Sequence, residues 1–199
     1  MKLFPFLIVI LIICLTGCTA NKPKDLKVSK VAKIGRNDLE QLVRGSIGKS
    51  WIKGGFLVVR LSTDLDLVKY AKQKGYVLSS TGRFCDDLDS PVMTFGLYSE
   101  IESIKAPLIS LQGSKLAHLL QSKDKGSLNY YILTPVSFLQ DVEIFGRPER
   151  KDAIFYKKYN LAENPKDLCF SVRGFSYGFG FKSNMAILKK EKINKMVNE

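Results

Sequence analysis

The chain has 199 residues, with 31 Lys or Arg against 19 Asp or Glu, a formal net charge of +12 and 45% hydrophobic residues. A chain of this size suits one domain, or two small ones, with a core large enough to fold alone. A single histidine leaves no cluster from which a histidine-rich zinc enzyme is built.

Met1-Lys2 precede an apolar run from Leu3 to Leu15, which ends at Thr16-Gly17-Cys18. The run falls short of the about 20 apolar residues that span a bilayer as a helix, and its charged, apolar, small order predicts a cleaved secretory signal. The predicted signal covers residues 1–17. Leu15-Thr16-Gly17-Cys18 resembles the lipobox of bacterial lipoproteins. The resemblance implies that Cys18 becomes the acylated N-terminus of the mature chain, held on a lipid bilayer. Each buried methylene is worth about 0.8 kcal/mol, so several acyl chains hold firmly where one does not. Thr19 in place of Asp after that cysteine points, by the same resemblance, to the periplasmic face of the outer membrane.

Residues 18–36 carry Lys22, Lys24, Lys27, Lys30, Lys33 and Arg36 against Asp25 alone, which predicts an extended basic tether. Such a tether lies on anionic head groups, at about 1 kcal/mol per cation, or serves as a plain soluble spacer. The basic balance raises nucleic acid as a partner, but the envelope address and the lack of any RNP-like, helix-turn-helix or zinc-finger pattern argue for no nucleic acid. An acidic protein partner is a better use of the same charge.

Residues 37–127 read as an α+β part. Asn37 to Arg44, closed by Gly45, predicts a short helix. Phe56 to Leu61 predicts a buried strand after Gly54-Gly55. Asp64 to Lys74 has acids first, lysines last and Gly75 behind them, the charge order that complements a helix dipole. Tyr76–Leu78, Gly82–Cys85 and Met93–Tyr98 predict further strands. Pro107 breaks any long helix, and Ser114 to Leu120 predicts a short one in which His118 is structural.

Residues 128–199 read as an antiparallel, immunoglobulin-like β-sandwich, from short runs at Tyr130–Leu133, Asp141–Phe145, Ala153–Tyr156, Leu168–Val172 and Phe181–Leu188 divided by turn residues. The predicted fold is therefore β-rich α+β, with one or two short helices packed in the N-terminal half.

Of four cysteines, Cys14 leaves with the signal and Cys18 takes the lipid. Cys85 and Cys169 remain, with no Cys-x-x-Cys spacing, and an oxidising envelope predicts their disulfide. No Gly-x-Ser-x-Gly elbow is present, and only one histidine offers a base for an activated Ser or Cys; Ser-Lys chemistry stays open, but nothing marks it. The chain reads as no enzyme, with no metal and no cofactor. Asp86, Asp87 and Asp89 read as a solvated turn, with a hard-cation site or contacts for a basic partner as alternatives. Gly174 to Phe181 alternates glycine with rings and reads as a hairpin, or as an anchor presenting Tyr177 and Phe179 to a partner. Both segments flank the predicted disulfide, so they are placed at one end of the sandwich as the partner-binding residues.

Asp167-Leu168-Cys169-Phe170-Ser171-Val172-Arg173-Gly174, followed by Gly178-Phe179-Gly180-Phe181-Lys182-Ser183-Asn184-Met185-Ala186-Ile187, resembles the small periplasmic lipoproteins identified as type VI secretion immunity proteins. The likeness covers the lipobox and the last third. It implies a membrane-anchored protein that binds and neutralises a cognate toxin effector without catalysis. A structural or assembly lipoprotein of the cell envelope, a phage or conjugation exclusion lipoprotein, and an enzyme of unrecognised type stand as the other readings.

Overall fold

The computed structural model describes residues 25–35, 51–99, 108–110, 128–145, 153–177 and 179–198. The lipobox with Cys18, the predicted helix at 37–44 and the segment around His118 lie outside them. The fold is mostly antiparallel β-sheet with two short helices.

The larger sheet is built on strands β2 (Ile52–Thr63) and β7 (Leu128–Phe138), antiparallel neighbours over most of their length. Outside β2 lies β1 (Lys27–Ile34); outside β7 lie β5 (Phe95–Ser99) and then β6 (Leu108–Ser110), the last pair parallel. The short β10 (Tyr159–Asn160) also pairs with β7. Both faces of β2 and β7 are covered. Leu57, Val59, Leu61, Tyr130 and Ile132 enter one hydrophobic cluster, while Phe56, Val58, Tyr131 and Leu133 enter another. That double burial is why Phe56–Val59 is continuously apolar rather than alternating. Gly54 and Gly55, at φ 75° and 80°, form a bulge opposite Val136, next to Pro135, which has no N–H to give the ladder. A side chain at Gly55 would place its Cβ 2.3 Å from the Ile34 carbonyl oxygen.

The smaller sheet runs β12 (Phe179–Lys182), β11 (Leu168–Ser176), β3 (Val77–Phe84), β4 (Pro91–Val92), with β13 (Ala186–Leu188) also on β11. β12 and β13 are two parts of one edge. Between them the ladder passes through Ser183, whose Oγ accepts the Val172 N–H at 2.9 Å. Leu78, Phe84, Leu168, Phe170 and Val172 meet the larger sheet in a shared core. A separate hairpin of β8 (Val142–Phe145) and β9 (Ala153–Tyr156) lies against β4.

Three sequence expectations need correction. Residues 18–36 are not all tether: Lys27–Ile34 is strand β1, paired with β2, because Val28, Val31 and Ile34 turn toward the cores between exposed lysines. The halves 37–127 and 128–199 are not separate layers either. β2 and β5 pair with β7, and β3 pairs with β11, so each sheet draws strands from both halves. The C-terminal half therefore makes no sandwich by itself. Finally, the chain ends in a helix that the sequence reading did not place.

Helix α1 (Leu67–Lys74) begins three residues after the expected Asp64, so no acid lies in its first turn, while the lysines of its last turn and Gly75 end it as expected. Asp66 accepts the Lys69 N–H at 2.8 Å, and Gly75 closes the helix at φ 64°. Tyr130 accepts the Leu67 N–H at 2.9 Å, satisfying a first-turn donor that has no intrahelical partner. Burial pushes the Tyr130 phenol up to about 12, so it stays neutral. Helix α2 (Lys190–Asn198) buries Ile193 and Val197. Ahead of β1, burial raises the Asp25 carboxyl, but hydrogen bonds from the Asp64 N–H and the Thr63 hydroxyl outweigh it and hold the group below the usual carboxylate range.

Cys85 and Cys169 are disulfide-bonded, 84 residues apart in sequence. In the chain-entropy model a loop of that length contributes about 4 to 5 kcal/mol, and reduction should lower the melting temperature accordingly; equal melting curves with and without reductant would contradict it. Tyr130→Phe leaves the Leu67 N–H without its acceptor and should destabilise by about 1 to 3 kcal/mol in chemical denaturation.

Candidate binding groove

The face of the smaller sheet turned away from the core forms the floor of a groove of about 1120 Å³. Strand alternation decides which side chains reach it. Opposite the inward Leu78, Phe170 and Val172, the rows Ser79–Arg173–Lys182 and Thr81–Ser171 point outward. Thr81 and Ser171 hydroxyls hydrogen-bond across the strands at 2.8 Å. Ile154, Phe155 and Tyr156 of β9 form one wall, with Ile154 and Phe155 about half exposed.

Arg83, Arg173 and Lys182 face Asp89 as the lone acid of this lining. Arg83 donates to the Leu88 carbonyl. Arg173 is different: its Nε is buried and has no hydrogen-bond partner among the described residues. A buried donor left unpaired is costly, and such groups are rare in folded proteins. A cationic, hydroxyl-lined floor beside an apolar wall suits an acceptor-rich group with an apolar flank. The sequence reading passed over Arg173 because one arginine inside an apolar strand carries no pattern.

The partner-binding residues expected from sequence do not share one place. Asp86, Asp87 and Asp89 form the turn between β3 and β4 at the disulfide end. Asp87 accepts from the Ser90 hydroxyl at 2.5 Å and from the Asp89 N–H at 3.2 Å, and the Ser90 bond chiefly holds its carboxyl below the usual range. Asp86 pairs with Lys166 at 3.1 Å. This is the solvated turn of the simpler reading, with two of its acids bound internally. Asp89 lies at the groove. Tyr177 and Phe179 lie at the other end of β11, where Ser176 pairs with Phe179 around a two-residue turn. Seven residues of strand separate Cys169 from Ser176, about 23 Å at roughly 3.3 Å per residue. The shared end is thus overturned: both segments adjoin β11, but a strand has two ends.

A second recess of about 780 Å³ beside Cys85 is lined by Lys166, Asp167 and Lys189 among others. Four of its charged side chains are paired with one another, Lys189 with Asp167 at 2.8 Å and Lys166 with Asp86. Among the described residues no group of histidine, cysteine or acidic side chains is arranged to hold a metal ion, and no helix is long and apolar enough to cross a membrane. Compared with known proteins, the chain matches no family model, no curated protein and no solved structure.

Proposed function

We propose that this chain is a lipid-anchored periplasmic protein that neutralises a secreted antibacterial effector by occluding it, and that the effector docks in the groove over the smaller sheet. The observation that carries the docking site is Arg173, whose buried Nε has no hydrogen-bond partner among the described residues. An acidic or carbonyl group on the effector satisfies it. Arg83 and Lys182 add to the same field, and complementary charge speeds encounter. Ile154 and Phe155, about half exposed on the wall, supply the apolar contact that interfaces concentrate near their centre. The lipobox and the C-terminal resemblance supply the address and the class of partner. Occlusion requires no catalytic group, only a stable surface.

Deleting the gene should sensitise cells to killing by their parent strain, and the wild-type copy should restore survival. Arg173→Met should not, because losing a charged hydrogen bond of about 2 kcal/mol weakens the complex roughly thirtyfold. Its melting temperature should match or exceed the parent's, since the substitution removes a buried unpaired donor. Equal survival of deletion and parent strains in competition would refute immunity, and full protection by Arg173→Met would refute the groove. Separately, Cys18→Ser should abolish incorporation of labelled palmitate; continued labelling would disprove the anchor.

A further inference from the structure

The β11–β12 hairpin ends in two large aromatic side chains that the fold does not use. Tyr177 is fully exposed and Phe179 is 78% exposed at the turn, while Phe175 and its register partner Val77, about half exposed, belong to the groove-side face of the sheet behind it. Single exposed apolar residues are ordinary, but two neighbouring rings left in solvent at one hairpin tip offer a contact surface. The hairpin is held firmly from inside. Phe181 lies over Gly174, where a Cβ would stand 2.3 Å from the ring, and its ring meets Tyr70 and Tyr76 at 5.3 and 5.8 Å.

This tip projects from the end of the molecule where the N-terminal segment joins the fold. Lys27 at the start of β1 pairs with Ser62 at the end of β2, and Asp25 accepts from Thr63 at 2.7 Å. α1 connects that end of β2 to Val77, which pairs with Phe175. Asn184 fixes the height of the junction by accepting the Leu26 N–H at 2.9 Å and donating to its carbonyl at 2.8 Å. Phe179 lies five residues from Asn184 toward the tip, about 16 Å at roughly 3.3 Å per residue. Asp25 is seven residues from Cys18, a reach of up to about 25 Å. That length is enough for an acylated Cys18 and the hairpin tip to meet one plane.

The charges around that plane are mostly cationic. Lys27, Lys69, Lys72 and Lys74 are exposed, and Lys22 and Lys24 stand between Cys18 and the fold. Of the acids at this end, Asp25 is taken up by Thr63 and Asp64, and Asp66 caps α1, leaving Asp64 exposed.

We propose that the β11–β12 tip is a membrane-contact site, at which Tyr177 and Phe179 enter the headgroup boundary of an anionic bilayer beside the acylated Cys18. The proposal rests on the lipoprotein reading and not on immunity. Aromatic rings settle at the boundary between headgroups and acyl chains, and lysines close to an anionic leaflet are attracted to it. The tip turns a single-point leash into a two-point mount. The groove then stands across the membrane normal, with the disulfide end outermost.

The test uses the full chain, purified with its lipid, in phosphatidylcholine–phosphatidylglycerol vesicles whose acyl chains carry bromine. Trp51, at the far end against Phe138, is the native reference, and Tyr177→Trp adds a reporter at a fully exposed position. The parent emission should be indifferent to bromine, while the added emission should shift to shorter wavelength and be lost. If the chain floats with vesicles but the added emission remains that of tryptophan in water, the contact site is wrong and the lipoprotein reading stands. A chain that carries no lipid and does not float overturns both. An added emission that answers to a captured protein and not to brominated lipid makes the tip a protein-docking element and overturns the proposal.

Discussion

The pairing of β3 with β11 holds the molecule together. Eight registered positions join Val77–Phe84 to Leu168–Phe175, and the Cys85–Cys169 disulfide closes the ladder at one end. Bringing together segments this far apart in sequence costs chain entropy before any contact is made, and the covalent link removes much of that cost from the unfolded side. Once the two strands are registered, their inward residues complete the core with the larger sheet. Their outward residues become the groove floor without further adjustment. The position of Arg173 beside Ser79 and Lys182 is a consequence of register, as is the distance between the acidic turn and the aromatic tip.

Local chemistry was legible where it was dense. Asp66, the last-turn lysines and Gly75 mark the ends of α1, and Phe56–Leu61 marks a strand buried on both faces. Alternating glycine and rings marked a hairpin, and two remaining cysteines marked a bond. The strand at Lys27–Ile34 was hidden because a register shift between Val28 and Lys30 breaks the two-residue alternation, leaving composition to suggest a tether. Helix α2 was hidden by its charge: Ile193, Met196 and Val197 are at helical spacing among lysines, too short a stripe to stand out. The site was less legible than the fold. Whether Asp86 and Tyr177 are neighbours depends on the length of β11, and its end is set by tertiary pairing rather than by any residue in it.

Charge is distributed according to use. On the outer face of the smaller sheet the Arg173 Nε has no hydrogen-bond partner among the described residues, whereas at the disulfide end Lys166 and Lys189 are paired with acids. Lys166 bridges to Asp86 and stands 5.3 Å over the Phe84 ring, and Asp167 receives both the Lys189 ammonium and the Lys190 N–H. The Lys189 bond is the main reason that the Asp167 carboxyl lies below its ordinary range. Pairs this exposed contribute little stability. Their effect is to offset part of the charge at that end, whereas Arg83, Arg173 and Lys182 line the groove with Asp89 as the one acid of its lining.

Asn184 binds Leu26 through both its N–H and its carbonyl, as a neighbouring strand would, although Asn184 lies in the gap between β12 and β13. The segment ahead of β1 is thereby fastened to the smaller sheet just before it becomes β1 of the larger one. Mechanically, a pull on that segment divides at Leu26 between the two sheets. Along β1 it runs parallel to the strand and loads the hydrogen bonds to β2 in shear, together, rather than peeling them one after another. Under the proposed anchoring, such a pull would be met by both sheets at once.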